Sequence, residues 1–266
     1  HRERRGVSAS HLPVLQVALP LIAAPICVLL RHPTLSWAFA TLVSWALFAI
    51  SILLLIRVMS EGVISYHLGG WAPPFGIEYR LDAVNSFVLL VITGIAAVVT
   101  PYARQSVAKE IAAPRHNLFY ALYLLALTGL LGITATGDAF NIYVFMEISS
   151  LASYVLIALG PSRRAQAAAF QYLIMGTIGA TFLLIGIGLL YMMTGTLNLA
   201  DLSVRIAEAP DMRPIYAAFA FVTIGVLIKL ALFPLHIWLP NAYTYAPTAV
   251  SAFLAASATK VGAYVL

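Results

Sequence analysis

The chain has 266 residues, of which 62% are hydrophobic and only 9% are charged, and its formal net charge is +5. Soluble domains contain about 25% charged residues, so this composition excludes an ordinary water-soluble domain and predicts a polytopic membrane protein. The basic residues are spread over the connections between apolar runs and form no long cluster, which argues against a nucleic-acid-binding role.

The residues that usually form catalytic or metal centres are scarce. The one cysteine, Cys27, lies within an apolar run, which excludes disulfides and cysteine metal clusters inside the chain. No GxSxG or HExxH motif occurs, and no flavin, iron–sulfur or nucleotide motif is present. We therefore expect no metal, no cofactor and no catalytic centre in this chain, so any enzymatic activity would belong to an assembly.

The first third of the chain is predicted to form a polar tail and a two-helix segment. Residues 1–11 are mostly polar and predict an extramembrane tail. Leu12–Leu30 and Leu35–Ile56 are long apolar runs, close to the ~20 residues that a membrane helix requires. Met59–Leu81 is rich in glycine, proline and aromatic residues and predicts an interfacial loop with a short hairpin. This segment, residues 12–81, is expected to precede a transporter core in residues 82–266.

Six further spans are predicted in the core, giving an all-α membrane protein with about eight transmembrane helices. Asp82 and Asp138 precede apolar runs and suit helix N-caps. A polar connection is predicted from Arg104 onward, and the polar loop Gly195–Pro214 predicts a short helix from Leu199. Small residues in the sixth span favour close helix contacts, namely Gly176, Gly179, Gly186 and Gly188. The predicted spans are Ala83–Ala103, Asn117–Thr136, Ala139–Leu159, a segment within Ala165–Thr194, and two between about Ile215 and Leu266.

The last stretch, Thr223–Leu266, combines apolar runs with two lysines and several prolines. Lys229 and Lys260 lie within the two hydrophobic runs, where a charge is costly and normally lines an internal polar path. The prolines between and beside them cannot all fit one straight helix, which predicts a discontinuous seventh helix. These helix-breaking residues are Pro234, Pro240 and Pro247.

One further charge, Glu147, lies well inside an apolar run. It follows the predicted cap Asp138 by nine residues, which at ~1.5 Å per residue places it roughly 13 Å into the membrane. Burial disfavours the charged forms of Glu147, Lys229 and Lys260, whereas an ion pair favours them. Such a row is able to pass protons along, but a fixed structural ion pair remains an alternative for the same residues.

His236 lies at the predicted break between the lysines. An imidazole gains and loses protons near neutral pH, so His236 is a candidate for the same path. The alternative is that it caps carbonyl groups freed by Pro234 and Pro240. Four tyrosines are candidates to line a wet path, namely Tyr172, Tyr191, Tyr243 and Tyr245. Interfacial aromatic belts explain most tyrosines, however, and also account for Trp37, Trp45, Trp71 and Trp238.

Orientation in the membrane is predicted from the distribution of Lys and Arg between the two sets of loops. The loops after spans one, three and five carry more Lys and Arg than the loops on the other side, which favours a cytoplasmic position for them and an external N-terminus. Counting the arginines of the N-terminal tail reverses this balance.

Two segments resemble a known family. GDAFNIYVFMEISSLASYVLIALG, at Gly137–Gly160, and KLALFPLHIWLPNAYTYAPTAVSAFLAASATKVGAYVL, at Lys229–Leu266, are similar to the proton-conducting antiporter-type membrane subunits. These include the large membrane-arm subunits of respiratory complex I and the Mrp-type Na⁺/H⁺ antiporters. The YMMTGTLNLADLSVRI run at Tyr191–Ile206 looks most like the D subunit of the Mrp-type systems.

The resemblance implies a role for each of the charged residues. Glu147 matches the family's glutamate on the fifth helix, and Lys229 matches its partner on the broken seventh helix. Lys260 matches the lysine that continues the central axis on the eighth helix, and His236 matches the histidine of the break. Loosening the Glu147–Lys229 pair would then release the lysine's proton toward Lys260.

The sequence also departs from the family pattern. Many members have lysine where Gln171 stands and aspartate where Asn241 stands, so one titratable site is missing. Family members continue for several more helices, so we expect this sequence to be a fragment that holds the first half of the fold.

These observations favour the proton-translocating subunit of a multisubunit Na⁺/H⁺ antiporter. The alternatives are a proton-pumping subunit of complex I or of a membrane-bound hydrogenase, and a non-conducting structural subunit. In each case the expected partners are other membrane subunits, the lipid bilayer and protons, with Na⁺ as a further substrate of an antiporter. The expected location is the bacterial inner membrane.

Overall fold

The computed structural model of the protein describes residues 11–30 and 32–266 and is almost entirely helical. Residues 1–10 of the predicted polar tail lie outside the described residues, and so does Arg31. Two short strands, β1 (Ile64–His67) and β2 (Glu78–Leu81), accompany the helices. The helices are α1 (Leu12–Leu29), α2 (Pro33–Glu61), α3 (Ala83–Glu110), α4 (His116–Ala135), α5 (Ala139–Ala158), α6 (Arg163–Thr194), α7 (Leu199–Ala207), α8 (Arg213–Leu230), α9 (Trp238–Tyr245) and α10 (Thr248–Val265).

The architecture is that of a multi-pass membrane protein. Over the described residues, seven helices are long and apolar enough to cross a membrane, namely α1 to α6 and α8. The eighth predicted span is the 18-residue helix α10, which is not among the seven because Lys260 and several serine and threonine residues lower its mean hydropathy. Large apolar side chains on the outer faces of the spanning helices are exposed, as expected where lipid is the solvent.

The polar connection predicted from Arg104 onward is α-helical as far as Glu110, so the prediction was wrong for that part, and the connection is limited to residues 111–115. Helix α3 continues through Pro101 and ends only at Glu110. In this extension Ala103, Ser106 and Val107 are buried, and α3 packs against α10. Tertiary packing of one face therefore sustains a helix that its polar composition alone does not predict.

Helix α4 forms the centre of the bundle, since 83% of its membrane span is buried. Polar side chains join the three helices before it inside the membrane region. The amide of Gln16 on α1 donates to Ser51 on α2 at 2.6 Å, and the hydroxyl of Thr93 on α3 donates to the same oxygen at 3.0 Å. Such interhelical hydrogen bonds stabilise helix association where water is absent.

The predicted hairpin is confirmed, because β1 and β2 pair antiparallel with Ile64 opposite Leu81. The carboxylate of Glu78 on β2 is buried and accepts hydrogen bonds from Ser65 on β1 at 2.5 Å and from the amide of Asn198 at 2.9 Å. Asn198 is also the N-cap of α7. The hairpin is thus tied to the predicted short helix of the loop between spans six and seven, which the structure confirms as α7.

The short connection between α4 and α5 joins the same extramembrane group. Gly137 donates its N–H to the backbone oxygen of Glu78 at 2.8 Å and accepts from the N–H of Leu199 at 2.9 Å. The predicted N-cap Asp138 is confirmed, because its carboxylate accepts from the N–H of Asn141 at 2.7 Å. Burial raises the pKa of Asp138 above its ordinary value, although hydrogen bonds from backbone N–H groups oppose that shift.

Candidate functional site

Helix α8 stops at Leu230, inside the apolar stretch that the sequence predicted to be interrupted. Ala231 adopts a left-handed conformation with φ of 57°, and a series of turns leads to α9. The indole N–H of Trp238, the first residue of α9, donates to the carbonyl oxygen of Ile228 at 2.9 Å. This bond satisfies one of the acceptors that the end of α8 leaves free. The break thereby places Lys229 in the last turn of α8, beside non-helical backbone.

The ammonium group of Lys229 is enclosed by one face of α5. The residue is only 8% exposed, and its Nζ donates to Ser150 Oγ at 2.7 Å, to Glu147 Oε1 at 3.3 Å and to the Tyr154 hydroxyl at 3.3 Å. The three acceptors follow each other at i, i+3 and i+7, which is the spacing of one helix face. A buried charge needs a partner and hydrogen bonds, and this face provides a carboxylate and two hydroxyls.

The two members of the ion pair differ in burial. The side chain of Lys229 is 6% exposed and that of Glu147 is 24% exposed. Glu147 is therefore the member that surrounding water or another polypeptide reaches more easily. A change in its surroundings would alter the pair without first uncovering the lysine.

Gly176 on α6 provides the space for the Tyr154 hydroxyl. A Cβ atom added at Gly176 would lie 1.8 Å from that oxygen and 2.8 Å from the adjoining ring carbon. Atoms at such distances overlap, so only glycine is compatible with this position of the ring. The contact between Tyr154 and Lys229 therefore depends on a residue that touches neither charge.

Two other predicted contact glycines let α6 approach α8. A Cβ at Gly179 would lie 3.2 Å from the carbonyl oxygen of Gly225, and one at Gly186 would lie 2.6 Å from Val222. The prediction of close helix contact is confirmed at these positions. It was wrong for Gly188, which is exposed and where an added Cβ would meet no neighbouring helix within 4 Å among the described residues.

A small cavity adjoins the ammonium group of Lys229. Its volume is about 30 Å³, which is enough for a water molecule in a polar setting. Both polar and apolar residues line the cavity, and α10 forms one side of it. The lining residues are Leu130, Ile133, Met146, Ser149, Ser150, Tyr172, Lys229, Ala258, Val261 and Gly262.

The structure does not bring Lys260 to the Glu147–Lys229 pair. Lys260 is exposed, and its Nζ donates to the backbone oxygen of Ala255 at 2.6 Å and to the hydroxyl of Thr259 at 3.3 Å. The side of α10 that faces the cavity carries Ala258, and at 100° per residue Lys260 falls on another side of the helix. Within the described residues the predicted row therefore consists of one ion pair and a separate exposed lysine.

His236 lies in the turns between α8 and α9 and is half-buried. Its ring is next to Phe233, with 5.4 Å between the ring centroids, and its Nδ1 is buried without a hydrogen-bond partner among the described residues. Pro234 lies in the same turns, Pro240 is the third residue of α9, and Pro247 immediately precedes α10.

Comparisons with known proteins connect this arrangement to a family. Residues 136–266 match the family described as NADH:quinone oxidoreductase/Mrp antiporter, transmembrane. The match includes Glu147, Lys229, His236 and Lys260. Residues 136–266 of the chain belong to this family.

Several relatives of this NADH:quinone oxidoreductase/Mrp antiporter family match almost the whole chain. NADH-quinone oxidoreductase subunit N of Desulforudis audaxviator is 46% identical over 97% of the chain and 52% of the relative. The D subunit of the Na⁺/H⁺ antiporter of Bacillus subtilis is 34% identical over 95% of the chain and 51% of the relative. The chain thus spans about half the length of these relatives.

Solved structures show the same fold. A chain of the archaeal membrane-bound sulfane sulfur reductase, a respiratory membrane complex, superposes with a TM-score of 0.90 at 31% identity. That alignment covers 96% of this chain and 52% of the other. The fold described above is therefore also found in a chain of a membrane-bound respiratory complex.

Three residues that contribute to the site around Lys229 were not predicted from the sequence. Ser150 and Tyr154 follow Glu147 at helical spacing, which was the available signal for two further contacts to Lys229. Trp238 was assigned to an interfacial belt, and that interpretation was wrong, since the residue is 2% exposed and closes the end of α8. Tyr172 is likewise buried, and its ring stacks on Trp238 with 3.8 Å between centroids.

Proposed function

We propose that this chain is the proton-translocating part of a membrane subunit in a multisubunit monovalent-cation/proton antiporter, with Na⁺ as the exchanged cation. The observation that carries the proposal is the buried ammonium group of Lys229, held by Glu147 at 3.3 Å beside a small cavity. The relative named as the D subunit of a Na⁺/H⁺ antiporter supports the choice of an antiporter.

The mechanism uses the competition between burial and ion pairing. While Glu147 is close, its negative charge stabilises the ammonium form of Lys229. When the carboxylate moves away or is neutralised, the buried charge loses its compensation, and the lysine gives up its proton to a water molecule in the cavity. Ser150 and Tyr154 keep the nitrogen in place during this change, because their hydroxyls serve both the charged and the neutral amine.

Lys260 and His236 are proposed to extend the path. Lys260 would accept the proton when its face of α10 is covered by further polypeptide of the whole subunit. His236, which has an unpaired buried nitrogen in the break, would relay protons near neutral pH. The helix-breaking prolines Pro234 and Pro247 would keep this segment irregular enough for both roles.

The proposed setting is the bacterial inner membrane, with other membrane subunits as partners. In this arrangement residues 82–266 are the conducting core, and residues 12–81 with the preceding tail are an N-terminal segment attached to it. The orientation proposed is an external N-terminus, which places the connection between α5 and α6 in the cytoplasm.

A second candidate is an antiporter-like proton-pumping subunit of a redox complex such as NADH:quinone oxidoreductase or a membrane-bound hydrogenase. The 46% identity to a protein named NADH-quinone oxidoreductase subunit N favours it. The same Glu147–Lys229 pair would then be driven by electron transfer in partner subunits rather than by a cation gradient.

The test uses the full-length gene, expressed with its operon, in everted membrane vesicles. A pH-sensitive dye follows the transmembrane proton gradient while Na⁺, K⁺ or Li⁺ is added, for wild type and for Glu147→Ala. The matched control is Glu208→Ala, which removes an exposed glutamate at the end of α7.

Collapse of the gradient on addition of a cation, lost in Glu147→Ala and kept in Glu208→Ala, is the result expected for an antiporter. Acidification driven by NADH or hydrogen and lost in Glu147→Ala, without any cation response, would support the redox candidate. Equal behaviour of Glu147→Ala and wild type in both assays would show that the ion pair is structural.

A further inference from the structure

The interface between α6 and α9 contains an open pocket at one end. Its volume is about 270 Å³, and it is lined by Arg164, Ala167, Ala168, Gln171, Asn241 and Tyr245. The side chains of Gln171 and Asn241 join across it, with an amide-to-oxygen distance of 2.9 Å. At the mouth, the guanidinium of Arg164 lies 5.8 Å from the ring centroid of Tyr245. The pocket is thus polar, open and lined by groups that can hydrogen-bond to water.

The two helices run antiparallel along this interface, which fixes the order of the contacts. Arg164 near the start of α6 meets Tyr245 at the end of α9, and Gln171 meets Asn241 further along. The next contact in the same direction is the stacked pair of Tyr172 and Trp238, which lies just beyond the amide pair.

On its other side, the aromatic pair reaches the site of the lysine. Tyr172 lines the cavity that contains the Lys229 ammonium group. Trp238 donates to the carbonyl of Ile228, the residue directly before Lys229. The rings are parallel within 4° and their centroids are 3.8 Å apart, which leaves no space for water between them.

We propose that the pocket at Arg164 is the aqueous access site for protons that reach Lys229, and that the stacked rings of Tyr172 and Trp238 are its gate. Water is the ligand of the pocket, and the amide groups of Gln171 and Asn241 order it. When the rings separate, water connects the pocket with the cavity, and a proton passes between solvent and the Lys229 amine. This inference rests on the proposed function, because it assigns an access route to the same lysine.

The gate is coupled to the end of α8 by its own hydrogen bond. If Trp238 swings away from Tyr172, the Ile228 carbonyl loses the indole donor and keeps only the N–H of Ala231 at 3.2 Å, so the last turn of α8 is held less firmly. That turn holds Lys229 against Glu147. Opening the gate therefore changes the backbone beside Lys229 as well as the access of water to it.

Cysteine accessibility tests the gate without relying on transport. The chain has one cysteine, so Cys27→Ser gives a background for single reporters in the full-length protein within its complex. Ala167→Cys reports on the open pocket, and Ser149→Cys, a near-isosteric change, reports on the closed cavity. Each is treated with a membrane-impermeant methanethiosulfonate reagent from either side of the membrane.

We expect fast labelling of Ala167→Cys from the side of Arg164 and at least tenfold slower labelling of Ser149→Cys. Adding Tyr172→Ala should speed labelling of Ser149→Cys at least tenfold from that side, whereas Tyr172→Phe, which keeps the ring, should not. Tyr216→Ala, which removes an exposed tyrosine ring of α8, is the matched control. If Tyr172→Ala prevents assembly of the complex, Trp238→Leu removes the other ring and is expected to have the same effect.

Fast labelling of Ser149→Cys with the rings intact, or continued protection after either ring is removed, would overturn the gate. A transport assay separates this outcome from failure of the proposed function. Ring removal should increase proton leak in the absence of any added cation, whereas loss of Glu147 should abolish coupled transport and leave the labelling pattern unchanged.

Discussion

Replacing Gly176 by alanine should disable the site without touching either charge. The added Cβ would lie 1.8 Å from the hydroxyl oxygen of Tyr154, so the ring must retreat by roughly 1.5 Å to reach ordinary van der Waals contact. The hydrogen bond from Lys229 to that hydroxyl is 3.3 Å long and would be lost. Overpacking of this kind costs about 1–3 kcal/mol, and a hydrogen bond to a charged group contributes about 1.5–3 kcal/mol.

If the free energy that holds the ion pair in place falls by that amount, proton transport should decrease about tenfold or more. The assay is the dye measurement in everted vesicles, with the amount of assembled complex determined in parallel. Gly188→Ala is the matched control on the same helix, since no atom of the described residues lies within 4 Å of the added group. Combining Gly176→Ala with Tyr154→Phe removes the clashing oxygen and should recover part of the packing loss, since the ring carbon at 2.8 Å must still shift, but not the hydrogen bond. Full transport by Gly176→Ala at normal assembly would refute the proposed dependence on Tyr154.

Two further predictions concern the ends of helices. Glu110 accepts from the N–H of Thr248 at 2.8 Å and so caps α10 from another helix. Glu110→Ala should therefore lower the free energy of unfolding by about 1 kcal/mol, and Glu110→Gln should lower it less. Equal losses for the two variants would contradict a capping role. Burial raises the pKa of Asp138 in the folded protein. The protonated carboxyl therefore stabilises the fold at pH values below the ordinary carboxyl pKa, and this stabilisation is lost as the pH rises through the raised pKa. Asp138→Asn keeps the cap without the charge and should remain more stable than wild type as the pH rises, whereas melting curves with the same pH slope for both proteins would argue against this.

Composition and hydrophobic run lengths were sufficient to predict the helical membrane fold. The start of α5 was predicted from the cap at Asp138, and the hairpin and α7 from glycine, proline and polar residues in the loops. The C-terminal end of α3 was not predicted, because local polarity there is outweighed by packing against α10. Such long-range packing is absent from any local sequence pattern.

The candidate site was predicted only in part. Depth along the helices placed Glu147 and Lys229 at similar levels, and the structure joins them in one ion pair. The direction in which Lys260 points depends on the rotation of α10, which apolar composition does not specify, because most faces of that helix are equally hydrophobic. The role of Trp238 was hidden for a related reason, since an indole at a membrane surface and an indole capping a broken helix have the same residue signature.

The hydrogen bonds that join the hairpin, the Gly137 connection and the start of α7 have a consequence for how this protein moves. They join the C-terminal ends of α4 and α6 and the N-terminal end of α5 to the hairpin on one side of the bundle. The break, α9 and the pocket at Arg164 lie toward the opposite side, where the contacts between α6 and α9 include side-chain hydrogen bonds and ring stacking. We therefore expect the broken helix to move mainly at the end away from the hairpin, while the hairpin side of the bundle keeps its form.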